Sequence, residues 1–250
     1  RATRTVEVVA PLPPAPEPEP EPDEPDEQGP AEPQEPEGPT VLASDDFERA
    51  VTSGWGSAAT GGAWTTSGTA SSFSVEGGRG RIFSERVGVN RSTSLPGVSS
   101  TSTELLLTTS VDTTPTGGGT YFSVIGRQVS ARDDYRAKIR YQADGRVVVY
   151  LVSRVDGRET VMSHAVVPGA TAANDQPLEV RFRVTGQGTT DAAVKVWPAG
   201  TPEPSGWTAQ ASDSAAVLQA PGGIGFLLYV SGSGSPATAR VAQLEAVVVQ

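Results

Sequence analysis

The sequence predicts an all-β protein whose folded part consists of two packed antiparallel sheets or a barrel. Apolar and polar residues alternate with a period of two along many short segments, and residues typical of turns separate these segments. No segment shows the 3.6-residue period of an amphipathic helix. Roughly twelve to fourteen strand candidates can be counted, and that many short strands are typical of sandwiches and barrels.

Composition divides the chain of 250 residues into three zones. Residues 1–10 (RATRTVEVVA) are rich in Thr and Val, which predicts a short strand, and they resemble the last strand of a PKD-type immunoglobulin-like domain. Residues 11–40 contain 12 Pro and 10 Asp or Glu, so we expect a disordered but extended linker that acts as a spacer. A ligand for proline-reading domains is the alternative. Residues 41–250 form the main domain.

The net charge of −10 is concentrated in the first 40 residues. Residues 1–40 hold 11 acidic residues and 2 Arg, so residues 41–250 hold the remaining 18 acidic and 17 basic residues, a balance of −1. A near-neutral domain without a strongly basic patch argues against nucleic acid as a partner. The absence of Cys excludes disulfides, thiolate metal sites and a Cys nucleophile.

The sequence also suggests where the protein acts. No apolar run approaches the ~20 residues of a membrane span, and no signal peptide opens the chain. Because Arg1 reads like the interior of a longer protein, we expect an export signal upstream and a secreted or cell-surface location in a bacterium. The main domain would then be the C-terminal module of a multidomain protein.

Four segments of the main domain give the clearest strand patterns. Residues 135–141 and 178–184 place apolar and charged side chains alternately, which predicts strands with one buried and one solvated face. Residues 147–152 and 224–230 are apolar on both faces, which predicts central strands.

Turn signals join several of these strands. Asp144 and Gly145 predict one tight turn, and Asp156 and Gly157 predict another. Trp55 lies between two glycines, and we expect it to anchor the opening loop of the domain to the core.

In chain order, the main domain contains the segments DDFERAVTSGWGSAATGGAWTTSG, DYRAKIRYQADGRVVVYLVS, AAVKVWPAGTPEPSGWTAQ and GGIGFLLYVSG. Together these segments resemble the concanavalin A-like (laminin-G-like) lectin and glucanase modules at the ends of large exported bacterial proteins. The resemblance spans about residues 44–249. It implies a two-sheet antiparallel jelly-roll sandwich, usually non-catalytic, that is attached to PKD-type repeats or enzymes and engages glycans.

The same resemblance implies a structural calcium ion, held by an opening Asp pair and an Asp-rich closing strand. Asp45 and Asp46 supply the pair, and calcium takes about six to eight oxygen ligands. The closing strand departs from the pattern, because Gln243 and Glu245 stand where acidic and aromatic residues are expected. The alternative is that one Asp caps a turn and the other faces solvent. We expect no cofactor beyond this calcium ion.

The residues do not form a recognisable catalytic set. The Glu-x-Asp-x-x-Glu run of sandwich glucanases is missing, and Glu179 and Glu245 each lie singly on strand patterns. His164 is the only histidine, and nothing near it resembles a nucleophile elbow, so we expect it to be a surface strand residue. We therefore predict that the protein is not an enzyme.

Two features are candidates for ligand binding. Trp197 follows Val196 and so shares a strand face with Lys195, which makes it the best candidate for stacking on a sugar ring. If the relevant strands are neighbours, their solvated faces form one basic surface that could hold an anionic polysaccharide. This surface would comprise Arg136, Lys138, Arg140, Arg181, Arg183 and Lys195. The alternative is an ordinary solvated face that cross-strand acids neutralise.

The sequence thus predicts a non-catalytic extracellular module that binds carbohydrate or mediates adhesion to a cell-surface glycan. Two other functions remain open at this point. The module could be the structural end domain of a surface fibre, or an accessory domain of a polysaccharide-degrading enzyme upstream.

Overall fold

The computed structural model describes residues 2–3 and 38–249. The strand predicted within residues 1–10 and the linker predicted at residues 11–40 lie almost entirely outside the described residues. Within that described part, no helix has the length and apolar character that a membrane span requires.

Residues 38–249 fold into two antiparallel sheets packed face to face, which confirms the all-β jelly-roll sandwich. Sheet A comprises β1 (Val41–Asp45), β3 (Phe73–Val75), β4 (Gly80–Ser84), β6 (Thr103–Val111), β11 (Leu178–Thr185), β12 (Thr190–Pro198), β13 (Ala209–Asp213) and β15 (Ala237–Val248). Sheet B comprises β2 (Thr65–Ser67), β5 (Asn90–Ser100), β7 (Thr120–Gln128), β8 (Asp134–Tyr141), β9 (Val147–Val155), β10 (Arg158–Val166) and β14 (Gly222–Val230). Short 3-10 turns occur at Ala70–Ser72 and Ala216–Leu218.

Non-consecutive strands are neighbours in both sheets. Sheet A runs in the order β13-β12-β11-β6-β15-β4-β3, and β1 also pairs with β15. Sheet B runs in the order β10-β9-β8-β7-β14-β5-β2. The strands β9 and β14 are therefore internal, as their apolar sequences predicted.

The core lies between the sheets and is filled by alternate residues of each strand. Every second side chain of β8 and of β11 is at most 1% exposed: Tyr135, Ala137, Ile139, Tyr141, Leu178, Val180, Phe182 and Val184. The basic residues between them point to the opposite, outer faces. Because each fully buried aliphatic or aromatic side chain contributes about 2 kcal/mol, this alternation fixes which face of each strand turns inward.

The predicted tight turns are also present. Gly145 has a φ of 87° in the turn between β8 and β9. Asp156 and Gly157 have φ values of 49° and 81° between β9 and β10, as a type I′ hairpin turn requires. The turn keeps β9 and β10 in register at the rim of sheet B, where Glu159 pairs with Arg154.

A buried carboxylate organises the loop that follows β1. Asp45 is 1% exposed and accepts hydrogen bonds from the Phe47 amide at 2.9 Å and the Trp64 indole at 2.8 Å. Two guanidinium nitrogens of Arg49 donate to the same carboxylate at 2.7 and 2.8 Å. Arg49 also donates to the Trp55 carbonyl oxygen. Asp45 therefore connects three separate points of the loop.

The loop is anchored to the core by aromatic rings, as predicted for Trp55. This side chain is fully buried, and its ring centroid lies 5.0 Å from Trp64 and 5.9 Å from Phe226 of β14. Edge-on and tilted ring contacts of this kind stabilise cores beyond their buried area. Gly80 makes the packing feasible, because a Cβ there would lie 2.7 Å from the Phe47 ring.

We predict that Asp45→Ala lowers the free energy of unfolding by about 3 kcal/mol, because it leaves the Arg49 guanidinium and the Trp64 indole without their acceptor. Urea unfolding of the full chain, followed by tryptophan fluorescence, measures this change. Asp46→Ala is the matched control, since Asp46 is exposed and, among the described residues, its side chain bonds only the Glu48 amide. It should change stability by less than about 0.5 kcal/mol. Equal effects of the two substitutions would contradict the role assigned to Asp45.

Candidate ligand-binding site

The six basic residues predicted to share one face lie on two different sheets. Arg136, Lys138 and Arg140 belong to β8 in sheet B, whereas the other three belong to β11 and β12 in sheet A. The expectation of a single basic surface is therefore wrong. Its cause is strand order, because similar alternating patterns do not indicate which sheet a strand joins.

The basic residues of sheet A are paired with acids. Arg181 and Lys195 both bind Glu203, at 2.9 and 2.8 Å, and Arg183 donates to Glu104 at 2.7 Å. The hydrogen bond from Arg181 is the main cause that holds the pKa of Glu203 below its usual value. Glu104 and Glu203 therefore largely neutralise the positive charge of this half of the predicted basic surface.

Trp197 does not offer an open ring. It lies on the outer side of β12 as predicted, but only 7% of its surface is exposed. The segment after β12 covers the Trp197 ring, and Pro202, Pro204 and Trp207 of this segment line the same depression as Trp197. The Trp197 ring is therefore covered and does not form a stacking platform in this structure.

A groove of about 400 Å³ lies instead on the outer face of sheet B. Its floor is formed by outward side chains of three adjacent strands, β7, β8 and β14. Six of the lining residues lie on these three strands: Tyr121, Ser123, Arg136, Lys138, Leu227 and Tyr229. Asn90, Arg154 and Glu159 contribute polar groups at the sides. This size is usual for small-molecule sites, although most of the lining side chains here are polar or charged.

Strand register brings two tyrosines together in this groove. Tyr121 of β7 pairs directly with Tyr229 of β14, while their neighbours Phe122 and Leu228 point into the core. The two tyrosine ring centroids are 5.8 Å apart and the planes are inclined by 55°. The pair forms an aromatic wall that a flat, partly apolar ligand can contact.

Two cations hold Tyr121 in place. The guanidinium of Arg140 lies 5.2 Å from the ring centroid, and the Lys138 ammonium lies 6.0 Å from it. Arg140 in turn donates to the Gly118 carbonyl oxygen at 3.0 Å. Burial raises the pKa of Tyr121 above its usual value, and the charge of Arg140 opposes this only in part. The phenol therefore stays neutral at physiological pH and can both donate and accept a hydrogen bond.

The charged residues of the groove form one chain of alternating ion pairs. Asp134, with no exposed surface, binds Arg136 at 2.5 Å and Arg154 at 3.4 Å. Glu159 then binds Lys138 and lies 3.5 Å from Arg136. Arg136 is only 2% exposed, so its charge is directed at these carboxylates. The chain makes a rigid, nearly neutral floor, because each internal charge has an opposite charge on both sides.

The groove does not bring two free carboxylates together. Among the described residues that line it, Glu159 is the only acid, whereas glycoside hydrolysis usually uses two facing carboxyl groups. Glu179 lies on sheet A, where it accepts a hydrogen bond from Thr108. Glu245 lies on β15 of that same sheet.

His164 occupies an exposed position on the edge strand β10, as predicted. Its ring stacks on Tyr150 of β9 with centroids 5.6 Å apart and planes inclined by 18°. Its neighbours on β10 are Ser163 and Ala165, in a regular ladder with β9. This strand has no sharp turn of the kind that presents a catalytic serine.

The donor set at Asp45 and Asp46 does not fit a calcium ion. Both oxygens of Asp45 already accept hydrogen bonds, and the Arg49 guanidinium lies where a cation would have to bind. Asp46 uses an oxygen to cap the Glu48 amide. In the closing strand, Gln243 lies in a bulge with a φ of 53°, and Glu245 pairs with Ser44. Among the residues that the structure describes, no group of three or more His, Asp or Glu could hold a metal ion.

Sequence reasoning missed the tyrosine pair. Alternation alone shows that Tyr121 and Tyr229 lie opposite their apolar neighbours, so each could have been identified as an outward aromatic residue. That they are adjacent depends on the pairing of β7 with β14, which are separated by more than 90 positions in the sequence. The chain of ion pairs likewise joins β8, β9 and β10 and is visible only once their register is known.

The fold is similar to those of several solved proteins. A GH43 protein from Bacillus licheniformis, BlXynB, matches with a TM-score of 0.54 and 14% identity over 83% of this chain and 39% of that chain. A β-glucanase from Bacillus licheniformis matches with a TM-score of 0.51 and 12% identity over 84% and 99% of the two chains. A legume lectin-like domain from Entamoeba histolytica matches with a TM-score of 0.50 and 14% identity over 75% and 90%.

Because the sequence identities are so low, these matches show only that the folds are similar. The chain spans only about two fifths of the length of BlXynB. No protein-family model matches the sequence, and a search of curated proteins finds no match.

We predict that calcium does not stabilise this protein. Because Arg49 supplies the cation next to Asp45, the urea midpoint should be the same in excess calcium and in excess EDTA. Arg49→Gln removes that charge and should lower the urea midpoint equally in excess calcium and in excess EDTA. A calcium-dependent rise of the midpoint in the unsubstituted protein would contradict this prediction.

Proposed function

We propose that the chain is a non-catalytic carbohydrate-binding module and that its ligand binds in the groove on the outer face of sheet B. The observation that carries this proposal is the Tyr121–Tyr229 pair, set beside hydrogen-bonding groups in one open depression. We also propose that the module acts outside the cell as part of a longer protein. The Pro- and Glu-rich composition of residues 11–40 supports this, since it favours a spacer between modules.

The chemistry of the groove suits a sugar. A pyranose ring has an apolar C–H face and a rim of hydroxyl groups. The two tyrosine rings can pack against the apolar face, as aromatic residues with a polar tip do at many binding sites. Asn90 and Arg154 offer donors and acceptors at the sides, where the hydroxyl groups would lie.

The charge distribution favours a neutral sugar over an anionic one. Arg136 and Lys138, which were predicted to bind an anionic polysaccharide, are both engaged by Glu159. Recruiting them to a ligand carboxylate would break ion pairs that already exist, so little would be gained. A neutral ligand leaves this chain of ion pairs intact.

The similar structures support the same class of ligand. Two of them are called a legume lectin-like domain and a β-glucanase, and both use this two-sheet sandwich. Among the described residues that line the groove, Glu159 is the only acid and is paired with Lys138, which favours binding without hydrolysis. Neutral β-linked oligosaccharides such as xylohexaose and cellohexaose are therefore suitable first probes.

We predict that one of the two neutral hexaoses, xylohexaose or cellohexaose, binds. Tyr121→Ala and Tyr229→Ala should each weaken its binding about tenfold, because each removes one ring of the aromatic wall. Isothermal titration of the full chain with xylohexaose, cellohexaose and an oligogalacturonate of equal length measures the change. Phe83→Ala is the matched control, because Phe83 is a 40% exposed aromatic residue on β4 of sheet A. Absence of binding to the neutral hexaoses, or tighter binding of the oligogalacturonate, would contradict the proposal.

We also predict that the full chain releases no new reducing ends from either neutral hexaose during prolonged incubation. A single carboxylate paired with Lys138 cannot act as both acid and nucleophile. The Glu159→Gln variant should likewise release no new reducing ends. Turnover that disappears in Glu159→Gln would identify the protein as an enzyme and overturn the non-catalytic proposal.

A further inference from the structure

Trp207 differs from the other tryptophans of the chain in its exposure. Trp55 is fully buried, and Trp64 and Trp197 are each 7% exposed, whereas Trp207 is only half-buried. It belongs to the segment between β12 and β13, above the outer face of sheet A. A half-exposed aromatic ring keeps one orientation only if neighbouring side chains contact its buried face.

Two cationic side chains of sheet A contact the Trp207 ring. The Arg183 guanidinium lies 5.2 Å from the Trp207 ring centroid, and the Lys195 ammonium lies 5.1 Å from it. Both side chains rise from sheet A, so they occupy the side of the ring that faces the sheet. Glu104 fixes Arg183, and Glu203 fixes Lys195. The indole is thus positioned on charges that are already neutralised.

A groove of about 460 Å³ extends from Trp207 across β11, β12 and β13. Cross-strand pairing arranges its floor in two rows, Arg183–Ala193–Gln210 and Thr185–Asp191–Ser212. Ala193, in the middle of the first row, leaves room above the sheet. Trp207 closes one end of this floor.

The groove fits a neutral, hydroxyl-rich ring. Gln210 and Asp191 are exposed and offer a donor and acceptors beside the small Ala193. Ser212 donates to one oxygen of Asp191 at 2.5 Å, which holds that carboxylate in place. Asp191 would repel an anionic ligand, and Arg183 is committed to Glu104, so charge does not favour an acidic sugar.

We infer that Trp207, Ala193, Gln210 and Asp191 form a second sugar-binding site, on the sheet opposite the groove of Tyr121 and Tyr229. The ligand class is a neutral pyranose, with its apolar face on the indole and its hydroxyl groups on Gln210 and Asp191. The inference shares this ligand class with the proposed function, but none of its residues lies in the sheet B groove. Two sites on opposite faces would let one module bridge two glycan chains and gain avidity.

Tryptophan fluorescence reports on this site selectively, because Trp207 is the most accessible indole of the chain. We expect neutral hexaoses of xylose, glucose, mannose or galactose to shift the emission to the blue and to protect it from acrylamide, with a dissociation constant of about 1 mM. The Tyr121→Ala/Tyr229→Ala double variant should keep this response in full. The second site can therefore be tested even if the sheet B groove binds nothing.

Two variants distinguish the site from a structural effect. Ala193→Gln fills the floor but retains Trp207, and it should weaken the fluorescence response about tenfold while the thermal midpoint stays unchanged. Trp207→Phe keeps a smaller ring and should retain part of the affinity in isothermal titration. No spectral response to any of the four hexaoses, or a response that Ala193→Gln leaves unaltered, would overturn the inference.

Discussion

The burial of one face of each sheet against the other determines which side chains reach the outer faces of the domain. Phe122 and Leu228 turn inward to fill the core, and this forces Tyr121 and Tyr229 to the outer face of sheet B. The aromatic wall of the groove is thus a consequence of core packing. Because a register slip of one residue would reverse both faces, the core also protects the geometry of the proposed site.

Local sequence predicted the strands and turns well, because alternation and turn chemistry act over a few residues. The segments around Tyr135 and Phe182 are strands with the expected buried faces. Strand order could not be predicted in the same way, since it depends on pairings between distant segments. This is why the prediction of a single basic surface is wrong. Arg127 gives a second example: a bulge after Ile125 turns it into the core, where it is fully buried and bonds Thr190.

Buried charges in this domain are compensated by protein groups. Asp45 is bound by Arg49 at the opening loop, and Asp134 is bound by Arg136 and Arg154 beneath the groove. The Asp45–Arg49 pair fixes the loop after β1, and Asp134 joins Arg136 of its own strand β8 to Arg154 of β9. The same pairing explains why neither calcium nor an anionic polysaccharide is expected to find free partners.

The proposed site places a neutral glycan on the outer face of sheet B. Amide chemical-shift mapping of the full chain, isotopically labelled and titrated with xylohexaose or cellohexaose, tests this placement. If the glycan binds there, the largest shifts will fall on β7, β8 and β14 around Ser123, Lys138 and Leu227. Shifts confined to the loops or edges of the domain, with these three strands unaffected, would contradict it.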